Sequence, residues 1–364
     1  MKFAWPPDGQ SRAFTLLELL VTLAVMTVFV LMLLSVTDNT FRLWRSTHSS
    51  IAMFDEARGA FDVLTHRLSQ ATVNTYLDYY DKNWNRRGVG GGSSFIPAYY
   101  GRTSDLHFLS GNANALLGGT THPGHGVFFF AALGYTGTSS SISDLPNLLV
   151  PCGDYLEWGD DRAYQPTFLR NAGFPSHYRL RLIENTQPSQ DFHGYPAFTD
   201  VDPNNDRDWV NGSDGMLKKG NAHVLAENII ALVIRPEVPQ QDAQSLGLPG
   251  PEALTTDYLY DTRSVAGQTR STPTSAVQFA QLPPMLRIVM VAVDEASAAR
   301  LIQGSALPAA FDTSALFRDP TETQYQADLA SVEKQLVGAR VRFRFFAQVI
   351  ALRGAKFSAQ KETH

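Results

Sequence analysis

The residue types that point most directly to chemistry lie in the acidic segment TDVDPNNDRDWVNGSDG, residues 199–215. Side-chain oxygens recur at every second position, at Asp200, Asp202, Asn204, Asp206 and Asp208. Calcium takes about six to eight oxygen ligands, and loops with this alternation supply them. The EF-hand pattern fails, because Asn205 replaces the turn glycine and Asn211 stands where a bidentate glutamate belongs. The segment therefore has two interpretations, a Ca²⁺ loop or, by default, a solvated acidic turn.

Two histidines and the single cysteine are the other candidate ligands or nucleophiles. His122 and His125 in THPGHG have a separation compatible with metal binding, but no third ligand follows nearby, which favours a structural or exposed pair. Cys152, the only cysteine, excludes an internal disulfide and any multi-cysteine zinc site. No GxSxG motif marks a nucleophilic serine. We therefore predict that the protein is not an enzyme and has no certain cofactor.

One more carboxylate occupies an unusual position. Glu18 is the only charged residue in the apolar stretch FTLLELLVTLAVMTVFVLMLLSV, residues 14–36. At about 1.5 Å per residue, a helix of this length spans roughly 34 Å, enough to cross a bilayer core of about 30 Å. A carboxylate within a spanning helix costs about 2–3 kcal/mol on insertion scales, so it needs a partner. The basic residues Lys2 and Arg12 favour a cytoplasmic N-terminus, with the rest of the chain outside the inner membrane.

Three interpretations of this apolar stretch compete. A cleaved secretory signal needs an apolar core of about 7–15 residues and a small-x-small cleavage site, and neither is present. A plain membrane anchor fits the length but leaves Glu18 without an explanation. The third interpretation is a signal in which the carboxylate has a defined role.

The sequence SRAFTLLELLVTLAV resembles the class III signal of type IV prepilins and type II secretion pseudopilins. The resemblance implies cleavage by prepilin peptidase between Ala13 and Phe14, followed by N-methylation of the new Phe14 amine. It also makes Glu18 the fifth residue of the mature chain. The family usually has glycine before the cut, so Ala13 is a departure that bears on the rate of processing.

The resemblance also implies a role in assembly. Glu18 would pair with the Phe14 amine of a neighbouring subunit, and a buried charge is tolerated when it is paired in this way. The implied partners are prepilin peptidase, other pilin-like or pseudopilin subunits and the inner membrane. Pairing within one subunit is the alternative, and it would satisfy the charge without selecting a neighbour.

Apolar residues continue at helical spacing beyond the membrane stretch, at Phe41, Trp44, Ile51, Phe54, Phe61, Leu64, Leu68 and Ala71. This spacing predicts an amphipathic continuation of the helix. The predicted organisation is a cleaved leader at 1–13, a transmembrane half-helix at 14–36, an amphipathic half-helix at 37–76 and an extracytoplasmic head at 77–364.

The head has the pattern of a mostly antiparallel β-sheet. Strand-like runs occur at 105–110, 127–135, 177–184, 228–238, 285–295 and 340–352. Short helices are predicted at 295–303 and 322–338, and an exposed loop from Leu77 to about Ser104. The predicted fold class is α+β and pilin-like, with a long N-terminal helix packed on the sheet.

This order of elements resembles the larger minor pseudopilins, notably the J-type of type II secretion. The segments 56–80 and 225–237 are similar to pilin-like proteins of Verrucomicrobia known as Verru_Chthon cassette protein C. These resemblances imply a prepilin-like component encoded beside other pilin-like proteins.

Charge and composition limit the other function classes. The chain has 30 basic and 35 acidic residues among 364, a formal net charge of -5, which argues against a dedicated nucleic-acid binder. The sequence predicts a prepilin-like subunit of a type IV pilus-like or type II secretion-like filament. The alternative is a membrane-tethered extracytoplasmic binding or enzymatic domain that uses a prepilin-type export signal.

Overall fold

The computed structural model describes residues 15–82, 95–136, 147–191, 208–211, 215–217, 220–247, 253–263 and 277–358. The side chains at 42, 43, 45, 46, 48–50, 52 and 208 are outside this description. Contacts divide the chain into two compact units, Met1–Ala52 and Met53–His364.

The first element is a long helix, α1, which spans Leu16–Leu68. Its sequence has no proline and only one glycine, so nothing interrupts the backbone hydrogen bonds. Within the second unit it buries Ala57, Phe61, Leu64 and Leu68, at the three- and four-residue steps of the predicted stripe. The helix ends eight residues before the predicted position 76, because the chain turns into a strand at Ala71–Thr72.

Twelve strands follow in the described residues: β1 Ala71–Thr72, β2 Tyr76–Tyr80, β3 Tyr99–Thr103, β4 Leu109–Asn112, β5 His125–Ala132, β6 Leu149–Asp160, β7 Tyr178–Thr186, β8 Ala222–Glu227, β9 Ile229–Glu237, β10 Tyr260–Asp261, β11 Met285–Val293 and β12 Phe343–Ala351. Seven of them form a sheet in the order β10-β4-β5-β6-β7-β8, with β1 also paired to β5. The order β12-β11-β9 forms a second sheet, and β2-β3 a hairpin. Every pairing between these strands is antiparallel, so the α+β prediction with an antiparallel sheet is confirmed.

Six shorter α-helices are described: α2 Ala113–Leu117, α3 Thr167–Asn171, α4 Asp208–Asn211, α5 Gln240–Leu246, α6 Glu295–Leu301 and α7 Glu322–Gly338. A 3₁₀ turn covers Ser189–Asp191. The helices predicted at 295–303 and 322–338 are therefore confirmed as α6 and α7.

Two parts of the sequence-based description of the head are wrong. The region 77–104 is not a continuous loop, because β2 and β3 pair as a hairpin across it. The strand predicted at 105–110 begins only at Leu109, and the sequence pattern predicts none of β6, β8 and β10. The sequence pattern does not predict β6 because Pro151 and Gly153 interrupt its apolar residues. The glycine is a packing requirement, since a Cβ there would lie 2.5 Å from the ring of Phe128.

The three-stranded sheet is covered on both faces over β9 and β11. One face contributes Leu232 and Ile288 to a core that also holds Leu64 of α1. The other face contributes Val233 and Val289 to a second core under α7. Because both faces are buried, the sequences of the two strands are continuous apolar runs and do not alternate between apolar and polar residues.

Candidate membrane and assembly site

The N-terminal part of α1 has the properties of a membrane span. Leu16–Phe41 forms 26 residues of helix that are long and apolar enough to cross a bilayer, with none of the most apolar window buried in the structure. Every residue in this range is exposed, including its leucine, valine, phenylalanine and methionine side chains. An exposed apolar surface of this length is expected in lipid, not in water.

The threonine hydroxyl groups within this stretch are satisfied by the helix itself. Thr22, Thr27, Thr37 and Thr40 each donate a hydrogen bond to a backbone carbonyl three or four residues earlier, at 2.7 to 2.9 Å. Such bonds allow threonine to remain in an apolar environment without an outside partner. These four side chains therefore place no demand on a neighbouring molecule.

Glu18 differs from them. It lies in the first turn of α1, where its backbone N–H donates to the carbonyl oxygen and the hydroxyl of Thr15, at 3.0 and 3.3 Å. Among the described residues its carboxylate has neither a hydrogen bond nor an ion pair. A negative side chain is favourable at a helix N-terminus, but within a bilayer it also needs a cation. Ala13 and Phe14 lie outside the described residues, so the cleavage site and the amine partner remain predictions.

The predicted calcium loop is also largely outside the described residues. This holds for Asp200, Asp202, Asn204 and Asp206, and for the side chain of Asp208, which begins α4. Within the part of the chain that the structure describes, no group of three or more His, Cys, Asp or Glu side chains could hold a metal ion. The calcium loop remains a prediction.

The structure does show how the far end of this acidic segment is anchored. The indole N–H of Trp209 donates to Nδ1 of His107 at 2.9 Å, and Nε2 of His107 lies 2.7 Å from Asp261. With Nδ1 accepting, the ring hydrogen resides on Nε2 and is donated to the carboxylate. The ring of Trp209 also packs on Phe130, with centroids 4.6 Å apart. α4 is thereby fixed against the seven-stranded sheet.

The two histidines of THPGHG bind the backbone. Nδ1 of the fully buried His125 accepts the N–H of Ile234 at 3.0 Å, and Nε2 donates to the carbonyl of Phe317 at 3.3 Å. Nδ1 of His122 lies 3.3 Å from the carbonyl of Leu156. Burial lowers the pKa of both rings, that of His125 to about 4, although the backbone bonds partly offset this effect. These are the contacts of a structural pair.

The thiol of Cys152 lies inside the core. Burial raises its pKa above the ordinary range, and the nearby Asp154 raises it further. The thiolate is the reactive form of cysteine, so burial of this kind makes the side chain a poor nucleophile.

A charged cluster that the sequence did not indicate joins α1 to the seven-stranded sheet. Asp154 of β6 and Glu184 of β7 are directly paired in register, and Arg67 in the last turn of α1 forms an ion pair with Glu184. Burial raises the pKa of Asp154 to about 7, while Arg67 partly lowers it. No local signal reveals this cluster, because its three members come together only when α1 packs on the correctly registered strands.

Comparison with known proteins bears on the N-terminal segment. Residues 9–34 match the family model described as prokaryotic N-terminal methylation motif. No curated protein and no solved structure matches the chain. The matched residues include the predicted Ala13–Phe14 junction, Glu18 and most of the apolar helix. The chain therefore carries a prepilin-type export signal of the kind that prepilin peptidase processes.

Proposed function

We propose that the protein is a minor pseudopilin-type subunit that prepilin peptidase processes and that assembles into a type IV pilus-like or type II secretion-like filament. The observation that carries this proposal is the isolation of Glu18. It is the only ionisable side chain between residues 15 and 37, on an exposed apolar helix whose threonine hydroxyls are already satisfied.

Removal of the leader would supply the missing partner. Cleavage after Ala13 turns the backbone nitrogen of Phe14 into a cationic amine at the start of the helix. Two opposite charges in lipid stabilise each other strongly, whereas either one alone is costly. If the amine and the Glu18 carboxylate belong to adjacent subunits, their pairing fixes the register of one helix against the next. Pairing within one subunit would give no such selection.

The head supports a minor rather than a major role. More than 300 residues form the second compact unit, and a head of that size hinders the close stacking of subunits along a filament. The resemblance to J-type pseudopilins and to Verru_Chthon cassette protein C points the same way. We place this head on the periplasmic or extracellular side of the inner membrane.

The N-terminus of the mature protein tests the processing step. The full chain is expressed with a prepilin peptidase, and its terminal peptide is identified by mass spectrometry. We expect a species that begins at N-methylated Phe14. An intact Met1, or a cut after residue 36, would contradict the proposal.

A substitution at Glu18 tests the assembly step. We expect Glu18→Ala to be processed normally but to lose at least tenfold of its recovery in crosslinked membrane assemblies with other pilin-like subunits. Asp38→Asn is the matched control, since it also removes one carboxylate from α1 and should assemble as the wild type does. Equal recovery of Glu18→Ala and wild type would favour the alternative, a tethered extracytoplasmic binding or enzymatic domain.

A further inference from the structure

The three-stranded sheet has an open edge at β12. Strand β12 pairs with β11 along its whole length, from Phe343 opposite Val293 to Ala351 opposite Met285, without a shift in register. Among the described residues, no strand pairs with its outer edge. Nine residues of regular strand therefore present outward backbone groups that β11 does not satisfy.

The two end strands of the seven-stranded sheet are protected in ways that β12 is not. At one end of the seven-stranded sheet β10 has only two residues. At the other end β8 pairs with β7 through a bulge and carries His223 and Glu227. In contrast, residues 345–351 read FFAQVIA, with no charge, no proline and no bulge. Short length, charges and bulges are the usual devices that prevent strands from pairing between molecules, and this segment lacks all three.

Side chains in this part of β12 are also uncovered. Because successive side chains point to opposite faces, Ala347 and Val349 are exposed on one face of the sheet, and Gln348 is exposed on the other between the buried Phe346 and Ile350. Val349 alone leaves 43% of its surface in solvent. A second strand along this edge would cover apolar surface and satisfy backbone groups together.

The sequence of β12 allows the strand to pair with β12 of a second copy of the chain. When two β12 strands run antiparallel about an axis at Gln348, Ala347 lies opposite Val349 and Phe346 opposite Ile350. Arg344, the only charged residue of β12, then lies opposite Leu352, so no residue of the strand is directly opposite a like charge. We infer that the outer edge of β12 pairs with β12 of a second copy of this chain, centred on Gln348. The two three-stranded sheets become one continuous sheet about a twofold axis.

A disulfide trap tests the axis. Residues directly opposite in an antiparallel pair have Cα atoms about 4.5–5.5 Å apart, within the roughly 4.4–6.8 Å that a disulfide spans. Because Cys152 is buried, Gln348→Cys gives the folded full chain one accessible thiol. We expect mild oxidation of the detergent-solubilised protein to link most of it into dimers. Val337→Cys is the matched control, since this position is 60% exposed but belongs to α7 and not to the paired strand, so the variant should stay monomeric.

A charge reversal tests the register. In Ala347→Lys/Val349→Lys, like charges would face each other twice across the axis, and we expect at least a tenfold rise in the dimer dissociation constant by analytical ultracentrifugation. In Ala347→Lys/Val349→Glu, opposite charges would face each other, and the dimer should persist. Circular dichroism verifies that both variants are folded.

Three outcomes would overturn the inference. The first is a wild-type chain that stays monomeric at every concentration. The second is a dimer with the same affinity in both charge variants, which would place the contact elsewhere. The third is a monomer whose β12 edge amides resist hydrogen exchange, which would mean that another part of the same chain covers the edge. None of these outcomes depends on processing or on Glu18, so the proposed function is tested separately.

Discussion

Asp154 and Glu184 lie directly opposite each other on β6 and β7, on the face of the seven-stranded sheet that receives the end of α1. Both carboxylates are buried, and Arg67 is the cation that pairs with Glu184. Burial raises the pKa of the Asp154 carboxyl, and the positive charge of Arg67 only partly offsets this effect. The junction between helix and sheet is therefore sensitive to protons.

The raised pKa of Asp154 predicts a specific pH dependence of stability. Its pKa is about 7 in the folded protein against an ordinary 3.8, so its contribution is fully present below about pH 4 and is lost as the pH rises through 7. Each pKa unit corresponds to about 1.4 kcal/mol. Relative to wild type, Asp154→Asn should gain on the order of 4 kcal/mol in free energy of unfolding between pH 4 and pH 8.

Urea unfolding at several pH values measures this difference. Asp55→Asn is the control, because it removes a carboxylate that is exposed on α1 and not buried in the core. If the difference in free energy of unfolding between Asp154→Asn and wild type is the same at pH 4 and pH 8, Asp154 does not titrate in this range.

His125 should respond to pH in the opposite direction. Its pKa is lowered by burial to about 4 from 6.5, so the stability that depends on the neutral ring is present above pH 6.5 and is lost as the pH falls towards 4. His125→Ala should remove this acid sensitivity. At pH 7.5 it should also cost about 2–4 kcal/mol, because the N–H of Ile234 loses its acceptor and a cavity forms.

His122→Ala is the matched control from the same motif. This ring is partly exposed and has one backbone contact, so its removal should cost less than about 1 kcal/mol. Equal losses for the two substitutions would contradict the structural role assigned to His125.

Ala13 should limit the rate of leader removal. The prepilin family that the signal resembles usually has glycine before the cut, so we expect Ala13→Gly to shorten the half-life of the precursor several-fold in a pulse-chase measurement. Ala4→Gly changes the same residue type elsewhere in the leader and should have no effect. Identical half-lives for Ala13→Gly and wild type would show that alanine is fully accepted at this position.

The buried guanidinium of Arg235 should be important for stability. It lies 3.1 Å from Glu237 and 2.6 Å from Glu322, and above the ring of Tyr325. Arg235→Ala leaves the buried Glu237 with less positive charge, so the expected loss is about 3–5 kcal/mol in free energy of unfolding.

An exposed arginine provides the comparison for that measurement. Arg318 donates to the carbonyl of Ser314 on the surface, and Arg318→Ala should change the stability by less than about 0.5 kcal/mol. If Arg235→Ala lowers the free energy of unfolding as little as Arg318→Ala does, the buried contacts of Arg235 do not stabilise the protein.

The strands that could be predicted are those whose local pattern agrees with their environment. β9, β11 and β12 are long, rich in β-branched or aromatic residues, and free of internal glycine. β6 escaped prediction because a proline and a glycine interrupt it, and only its neighbours β5 and β7 show why it remains a strand. The end of α1 was misplaced because helix periodicity continues to Leu68, and pairing of Ala71–Thr72 with β5 then ends it.

By itself the sequence determined the export signal, the membrane-spanning length of the first helix and the isolation of Glu18, since all three depend on residues close together in the chain. The tertiary structure decided the Asp154–Glu184 pair, the anchoring of Trp209 on His107 and the open edge of β12. Each of these depends on strand register or on contacts between distant segments. Local hydrophobic periodicity sets which backbone conformation is favoured, but packing across the whole domain sets which residues face each other.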